Sequence, residues 1–240
     1  MRTPPAANGG TARGLALWPL ALLAGLLPLL ATLLGATLAM HQGLVPTCNP
    51  MFDGCVSISR AARHGAPNLI FQTLMVPAAT LQALVWLITA HWLALQMGWR
   101  ASLRALAALG VAAGIALVLY ATFLGTEGVV YRWLRQYGTL VYFGSTCVCM
   151  LLAGRALQHL AATGALSLPV WLVRTMGLLA AALVSLGLIN SMAAPMVGAA
   201  LKLRIENVTE WWGALIFVIG FCALAAMWQR VGLRLQLRTD

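Results

Sequence analysis

The sequence predicts an all-α protein with six transmembrane helices in one bundle. Hydrophobic residue types make up 61% of the 240-residue chain and charged residues only 8%, whereas a soluble domain contains about 25% charged residues. The apolar residues also form long stretches, and about 20 such residues are enough to cross the hydrocarbon core of a bilayer as a helix. These stretches are 15–40, 67–97, 103–124, 137–157, 168–192 and 211–228.

The pattern within the stretches indicates helices rather than the strands of a membrane barrel. Only helices and closed barrels satisfy every backbone N–H and C=O group inside a bilayer. Barrel strands alternate in polarity over about 10 residues, but these stretches are continuous and rich in Leu and Ala. The first stretch is longer than the apolar core of about 7–15 residues in a cleaved signal peptide. We therefore expect a membrane domain at 15–230, between a disordered tail at 1–14 and a short tail at 231–240.

Basic residues at the ends of the stretches predict that both termini lie in the cytoplasm. Six spans place both termini on one side, where the span ends and tails carry nine of the 15 Lys and Arg residues. An excess of Lys and Arg marks the cytoplasmic side. The net charge of +10 is thus explained by topology, and the scattered bases predict no nucleic-acid partner. We expect a multi-pass protein of a plasma membrane or a bacterial inner membrane.

Two cysteines in the first outward loop, 41–66, predict a disulfide. Cys48 and Cys55 flank Pro50 and the pair Asp53-Gly54, which are residues that form turns. Disulfides are favoured outside the cytoplasm. The alternative is a redox-active pair, which more often has Cys-x-x-Cys spacing. The other cysteines lie in spans, where small core residues are expected: Cys147, Cys149 and Cys222.

Acidic residues are concentrated in the three outward loops, 41–66, 125–136 and 193–210, so any chemistry is expected on that side. Glu127 lies beside glycine at a membrane boundary. It is either a desolvated acid or base or the ion-pair partner of Arg132 or Arg135.

Glu210 begins the sixth apolar stretch, and two interpretations are open. In the first, it lies at a helix N-terminus, where the dipole favours negative charge and Asn207 or Thr209 caps the helix. In the second, it lies beneath the outer surface beside a polar headgroup, because ionisable residues at membrane depth are candidates for function.

The residues predict neither a metal nor a cofactor. The outward histidines and glutamates are chemically suitable zinc ligands, but no two have the helical spacing of a ligand pair. His91 and His159 are poorly matched as haem ligands, because His159 lies at or beyond the end of its span. A retinal protein needs a lysine inside a span, and the single lysine, Lys202, lies in a loop. The outward candidates for zinc are His41, His64, Glu127, Glu206 and Glu210.

Three segments resemble one family of six-span membrane proteins, the FRAG/DRAM/SFK type, which comprises GPI-anchor lipid-remodelling proteins and damage-regulated autophagy modulators. Ser57-Ile58-Ser59, followed by Pro67 and Phe71, is similar to an element of the first outward loop of that family. Thr126-Glu127 resembles its acidic element before the fourth span, and Thr209-Glu210-Trp211 resembles the opening of its sixth span. The family's histidines after the acidic element are missing. The resemblance implies a lipid-associated role more than a particular reaction.

We therefore predict a protein that handles or remodels a membrane lipid or lipid anchor at the outer leaflet. Glu210 and Glu127 are the candidate acids, bases or orienting groups, and His64 is the candidate general base if the protein is a lipid acyltransferase. The planar guanidinium group of arginine can donate two parallel hydrogen bonds to phosphate oxygens. The candidate headgroup-binding residues are Arg60, Arg63, Ser57, Ser59, Asn207 and Trp211.

Two other functions stay open. A non-catalytic scaffold with a membrane-protein partner is suggested by Gly110 and Gly114, a Gly-x-x-x-Gly pair that allows close helix contact. A small-solute transporter would need a polar path, and Pro28 and Pro77 are compatible with broken helices. Charge at mid-depth is nearly absent, which argues against ion coupling. The polar residues within the spans are Gln72, Thr73, Gln82, Thr89, Ser185 and Asn190.

Overall fold

The computed structural model describes residues 14–193 and 196–236 and confirms an all-α bundle. Six helices are long and apolar enough to cross a membrane. Two short helices lie in the loop after the first of them, and two short strands lie at the ends of the described chain. The long helices are α1 (Trp18–His41), α4 (Gly65–Met97), α5 (Ala101–Thr122), α6 (Val129–Ala162), α7 (Val170–Ala193) and α8 (Ala199–Arg230). The short elements are β1 (Leu15–Ala16), α2 (Pro50–Asp53), α3 (Ile58–Ala61) and β2 (Arg234–Leu235).

The six long helices form a closed ring. Each helix contacts its neighbours in the chain, and α1 contacts α8, so that the first and last helices are adjacent. Aromatic side chains of α6 and α8 are in contact inside this ring of helices. The aromatic ring of Phe217 lies 5.4 Å from that of Tyr142 and 4.9 Å from that of Phe143, measured between centroids. Many of the buried residues are Ala or Gly, and such small side chains let transmembrane helices approach closely.

A two-stranded pairing joins the two ends of the described chain. β1 and β2 are antiparallel, with Leu15 opposite Leu235, and the Leu17 N–H donates to the Leu233 carbonyl at 3.1 Å. We call this end of the bundle the terminal end and the opposite one, which carries 42–64 and 123–128, the loop end. The two ends of the described chain are thus on one side of the bundle, as six spans predict, while the cytoplasmic orientation of that side stays a prediction. The predicted tail 1–14 falls almost wholly outside the described residues, and part of the predicted tail 231–240 is strand β2.

Two helices begin well before their apolar stretches. α6 begins at Val129 and α8 at Ala199, because polar residues continue a helix beyond the bilayer and hydropathy detects only the embedded part. The prediction that Glu210 lies at a helix N-terminus is therefore wrong, since it lies about three turns inside α8. Neither predicted cap is one: the Thr209 hydroxyl donates to the Ile205 carbonyl at 2.7 Å, and Asn207 binds the loop after α1.

A proline inside α1 is compensated by a side chain of α4. Pro28 has no N–H, so the Ala24 carbonyl lacks its usual partner four residues later. Gln82 is 3% exposed, and its Nε2 donates to that carbonyl at 3.0 Å. This bond links the first third of α1 to the middle of α4.

The Gly-x-x-x-Gly pair of α5 packs within the chain. Gly110 lies directly against the Cβ of Trp86, and Gly114 lies against Ala83 and the Ala79 carbonyl, all on α4. A side chain at Gly110 would overlap Trp86. The small-residue pair therefore serves the contact between α4 and α5, and it no longer supports a surface for an external partner.

Candidate functional site

The first loop after α1 is a compact structure closed by the predicted disulfide. Cys48 and Cys55 are bonded, which confirms the pairing. Asn49 caps α2, because its Oδ1 accepts from the Met51 N–H at 3.1 Å. Gly54 ends α2 with φ +61° and lies directly against the Arg204 carbonyl, so this position has neither the space nor the backbone conformation for a side chain. We call residues 48–59 the disulfide loop.

Four side chains of α8 hold the disulfide loop through its backbone carbonyls. A buried carbonyl without a partner is costly, and the bonds from Asn207 and Trp211 satisfy two buried carbonyls. The bonds join Arg204 to Asp53, Asn207 to Gly54, Trp211 to Val56 and Trp212 to Met51, at 2.9, 2.8, 3.0 and 3.1 Å respectively. The donors of Asn207 and Trp211, two predicted headgroup-binding residues, are thus engaged with the loop.

The disulfide loop places two serines against Glu210. Ser57 caps α3 by accepting from the Arg60 N–H at 3.2 Å. The hydroxyls of Ser57 and Ser59 are 3.2 Å apart. The Ser59 N–H donates to Glu210 Oε1 at 3.2 Å. A carboxylate within α8 therefore accepts a backbone hydrogen bond from a loop 151 residues earlier in the chain.

Arg63 and Tyr120 complete the group, which we call the polar cluster: Ser57, Ser59, Arg63, Tyr120 and Glu210. Tyr120 lines the same cavity as Glu210 and is within electrostatic range of Glu210 and Arg63. Arg63 interacts electrostatically with Glu210. Within the described residues the only ion pair joins Lys202 to Glu206, so Arg63 and Glu210 do not pair directly. The Arg63 Nε is buried without a hydrogen-bond partner.

An apolar cavity of about 230 Å³ lies beneath the polar cluster. Its walls come from α1, α4, α5, α6 and α8, and Met51 and Ile58 of the disulfide loop form its roof. Glu210 and Phe221 both line it, and α8 advances roughly 16 Å between them at about 1.5 Å per residue. That depth is about half of a hydrocarbon core of about 30 Å, which is the thickness of one leaflet.

A second, smaller polar group lies deep in the cavity. Gln82 and Tyr142 both line it. The Gln82 Oε1 is buried without a hydrogen-bond partner. The cavity is therefore polar at its loop end, apolar along its length and weakly polar at its inner end.

Of the predicted catalytic and headgroup-binding residues only Glu210 and Trp211 line the cavity, and three of the others are exposed. Arg60 and His64 are exposed at the loop end, and Glu127 is exposed in the loop after α5. No ion pair joins Glu127 to Arg132 or Arg135 in the described part of the chain. Arg135 instead donates to the Phe123 and Thr126 carbonyls. Hydrogen bonds thus join Ser57, Ser59 and Glu210, and Arg63 is within electrostatic range of Glu210. Arg60, His64 and Glu127 are exposed.

Tyr120 and Tyr142 were missed by the sequence analysis. Tyrosines near span ends are typical of interfacial belts, and Tyr120 lies two residues from the end of α5. Its buried position follows from packing that no local pattern reveals. Tyr142 lies within the apolar stretch 137–157. A polar phenol inside such a stretch is the feature of the sequence that could have indicated an internal cavity.

The polar residues considered for a transport path mostly bind backbone carbonyls. Gln72 donates to Thr122 O at 3.2 Å, and Thr73 and Thr89 donate within their own helix. Ser185 is exposed on α7 and Asn190 is partly buried there. Among these residues only Gln82 lines the cavity.

The candidate zinc ligands do not gather. Across residues 14–193 and 196–236, no three His, Cys, Asp or Glu side chains are close enough together to hold a metal ion. The remaining cysteines are free thiols, with Cys149 buried and Cys147 and Cys222 half-buried, as expected of core residues.

Comparison of the chain with protein-family models, curated proteins and solved structures gives no match. The resemblance to the FRAG/DRAM/SFK type therefore stays an expectation. What is established is an integral membrane protein with six candidate spans, and its more specific function is inferred from the polar cluster and the cavity.

Proposed function

We propose that this membrane protein binds a membrane lipid or lipid anchor at its loop end, and handles or remodels that molecule. The headgroup lies at the polar cluster and one hydrocarbon chain occupies the cavity. The observation that carries this proposal is the continuity of the two: Glu210 and Trp211 belong to the loop end and also line the apolar cavity.

The cavity is polar at one end and apolar along its length, which matches the polar head and apolar tail of an amphiphile. Ligand sites are mostly apolar with a few placed polar groups, and this cavity has that composition in a fixed order along its axis. Its depth of about one leaflet suits an acyl chain that extends from a headgroup toward the bilayer centre. Burial of each methylene contributes about 0.8 kcal/mol relative to water, although a lipid that arrives from the bilayer gains much less.

Glu210 is the group best placed to act on a bound headgroup. Its carboxylate is partly buried, and one oxygen is oriented by the Ser59 N–H. A positioned carboxylate of this kind can orient a hydroxyl or amine, or accept its proton. Because His64 and Glu127 lie outside the cavity, acyl transfer with His64 as base would require the headgroup to reach beyond the polar cluster.

Native mass spectrometry with lipidomics tests the proposal. The wild-type protein is purified in mild detergent beside Glu210→Gln and Glu206→Gln, a matched loss of one carboxylate on the same helix that does not line the cavity. A hydrogen bond to a charged group contributes about 1.5–3 kcal/mol, and about 1.4 kcal/mol corresponds to a tenfold change. We expect a retained lipid whose occupancy falls at least about tenfold in Glu210→Gln and is unchanged in Glu206→Gln.

The same experiment can reject the proposal. Equal lipid retention by wild type and Glu210→Gln would remove the polar cluster from lipid binding. A defined protein that co-purifies without any selective lipid would instead favour the scaffold function.

A further inference from the structure

We propose that the lipid held in the cavity has a protonated primary amine as its head, and that this amine binds the Glu210 carboxylate. The inference rests on the proposed function and names the class of lipid that the cavity takes. It is carried by the composition of the cavity wall, where Glu210 is the only charged side chain among the described residues.

Glu210 offers an open hydrogen-bond acceptor to the cavity. A carboxylate has two oxygens with about four lone-pair sites, and Oε1 accepts from the Ser59 N–H at 3.2 Å. Oε2 has no donor among the described residues, yet it is not one of the unpaired polar atoms that are sealed off from solvent. Because Glu210 lines the cavity, a ligand inside it can reach this oxygen.

The charge of Glu210 has no counterpart in the cavity wall. None of the described lining residues is basic, and the ion pair of the described chain joins Lys202 to Glu206. Arg63 is within electrostatic range of Glu210 but does not line the cavity. A partly buried charge without a partner is costly. A cationic head would supply that partner, whereas a phosphate or carboxylate head would place a second negative charge beside Glu210.

The rest of the cavity wall suits a cation that carries an apolar chain. Seven of the 22 lining residues are aromatic, and the faces of aromatic rings attract cations. Trp211 is the next residue after Glu210, and the rings of Phe71 and Tyr120 meet edge to face with their centroids 6.2 Å apart. An anion would meet none of these favourable interactions.

A primary amine meets both requirements at Glu210. An alkylammonium carries one positive charge and three N–H donors, and it is protonated at neutral pH as a lysine side chain is. A hydroxyl can donate to Oε2 but brings no charge. We therefore assign the cavity to lipids of the long-chain amine class, with the amine at Glu210 and the chain directed toward Phe221.

Single-chain amphiphiles of one chain length that differ in the head provide the test. Dodecylamine, dodecanol and dodecanoate are titrated onto the purified wild-type protein in a mild non-ionic detergent, and Kd values are read from native mass spectra. We expect dodecylamine to bind at least about tenfold more tightly than dodecanoate, with dodecanol between them; a tenfold ratio corresponds to about 1.4 kcal/mol. This comparison uses the wild-type chain, so it does not depend on whether any variant folds.

Two variants then assign the preference to Glu210. Glu210→Gln keeps the size of the side chain and removes its charge, so we expect it to weaken dodecylamine about tenfold and to strengthen dodecanoate. Glu206→Gln removes a carboxylate from the same helix outside the cavity, and it should change none of the three Kd values. Each ligand is compared between variants in the same detergent, so its partition into micelles cancels. Thermal unfolding of each variant confirms that it is folded.

The outcomes separate this inference from the proposed function. Dodecanol that binds as tightly as dodecylamine would show that Glu210 needs a donor without a charge, and would overturn the amine inference. Tighter binding of dodecanoate, or an equal loss of dodecylamine in Glu206→Gln and Glu210→Gln, would overturn it too. In each of these cases the chain still binds and the proposed function stands. Absence of binding by all three amphiphiles would overturn the proposed function as well.

Discussion

Replacement of Gln82 by leucine should destabilise the bundle only while Pro28 is present. Gln82 donates to the Ala24 carbonyl at 3.0 Å, and that carbonyl is open because Pro28 lacks an N–H. In Pro28→Ala the restored N–H can donate to the Ala24 carbonyl within α1. The double-mutant cycle of these two substitutions therefore measures one specific compensation.

The magnitude follows from the groups involved. A buried carbonyl left without a partner costs about 1–3 kcal/mol, and hydrogen bonds between membrane helices average about 0.6 kcal/mol with a maximum near 1.7 kcal/mol. We expect Gln82→Leu to lower the free energy of unfolding by about 1–2 kcal/mol in the wild-type background. In the Pro28→Ala background we expect a change near zero or slightly favourable, since leucine also removes the unpartnered Gln82 Oε1.

Reversible denaturation in mixed lipid–detergent micelles gives the four free energies. Pro77→Ala supplies the control cycle, because Pro77 is a second proline within a helix but its open carbonyl is that of Thr73, which Gln82 does not contact. The reasoning is refuted if Gln82→Leu costs the same in the Pro28→Ala and wild-type backgrounds. It is also refuted if Pro77→Ala reduces that cost as much as Pro28→Ala does.

Three further substitutions test the packing of the bundle and the disulfide loop, each by thermal or chemical unfolding in detergent. Replacing Cys48 and Cys55 together by alanine should cost about 2.5 kcal/mol, from the chain-entropy estimate for so short a loop, and an unchanged midpoint would show that α8 alone holds the loop. Gly110→Ala should lower the free energy of unfolding by about 1–3 kcal/mol, because the added methyl group overpacks against α4. Gly144→Ala is the control, since a side chain there meets open space, and it should not destabilise the protein. Equal effects of the two substitutions would contradict the contact assigned to Gly110. Asn207→Leu should cost about 1–3 kcal/mol by leaving a loop carbonyl unpaired, and a cost below 0.5 kcal/mol, roughly the noise of surface substitutions, would contradict that role.

The number and order of the spans could be predicted because they depend on local properties. Hydropathy records whether a segment is long and apolar enough to cross a bilayer, and all six stretches became helices. The extents of α6 and α8 could not be read in the same way, since their first turns mix apolar with charged residues and contain no helix breaker. The adjacency of α1 and α8 was also not predictable, because small and apolar residues occur on several faces of each helix.

The candidate site was predicted in part, for a reason of topology. The predicted topology puts the first outward loop and Glu210 on one side of the membrane, and Ser59 lies in that loop, 151 residues from Glu210 in sequence. Topology assigns a side but not a distance within that side, so His64 and Glu127 were grouped with them although both are exposed. Tyr120 was missed because only the tertiary packing separates a buried phenol from an interfacial one.

The closed ring has a consequence for biogenesis. α1 is made first and α8 last, yet they are neighbours and both line the cavity. A nascent chain that has inserted five helices therefore has an open seam beside α1, and the disulfide loop lacks the side chains that fix it. Glu210 and Trp211 arrive only with the sixth helix, so the candidate site is completed when the ring closes. A chain that ends before α8 lacks both residues, and the lipid site proposed above is not expected to form in it.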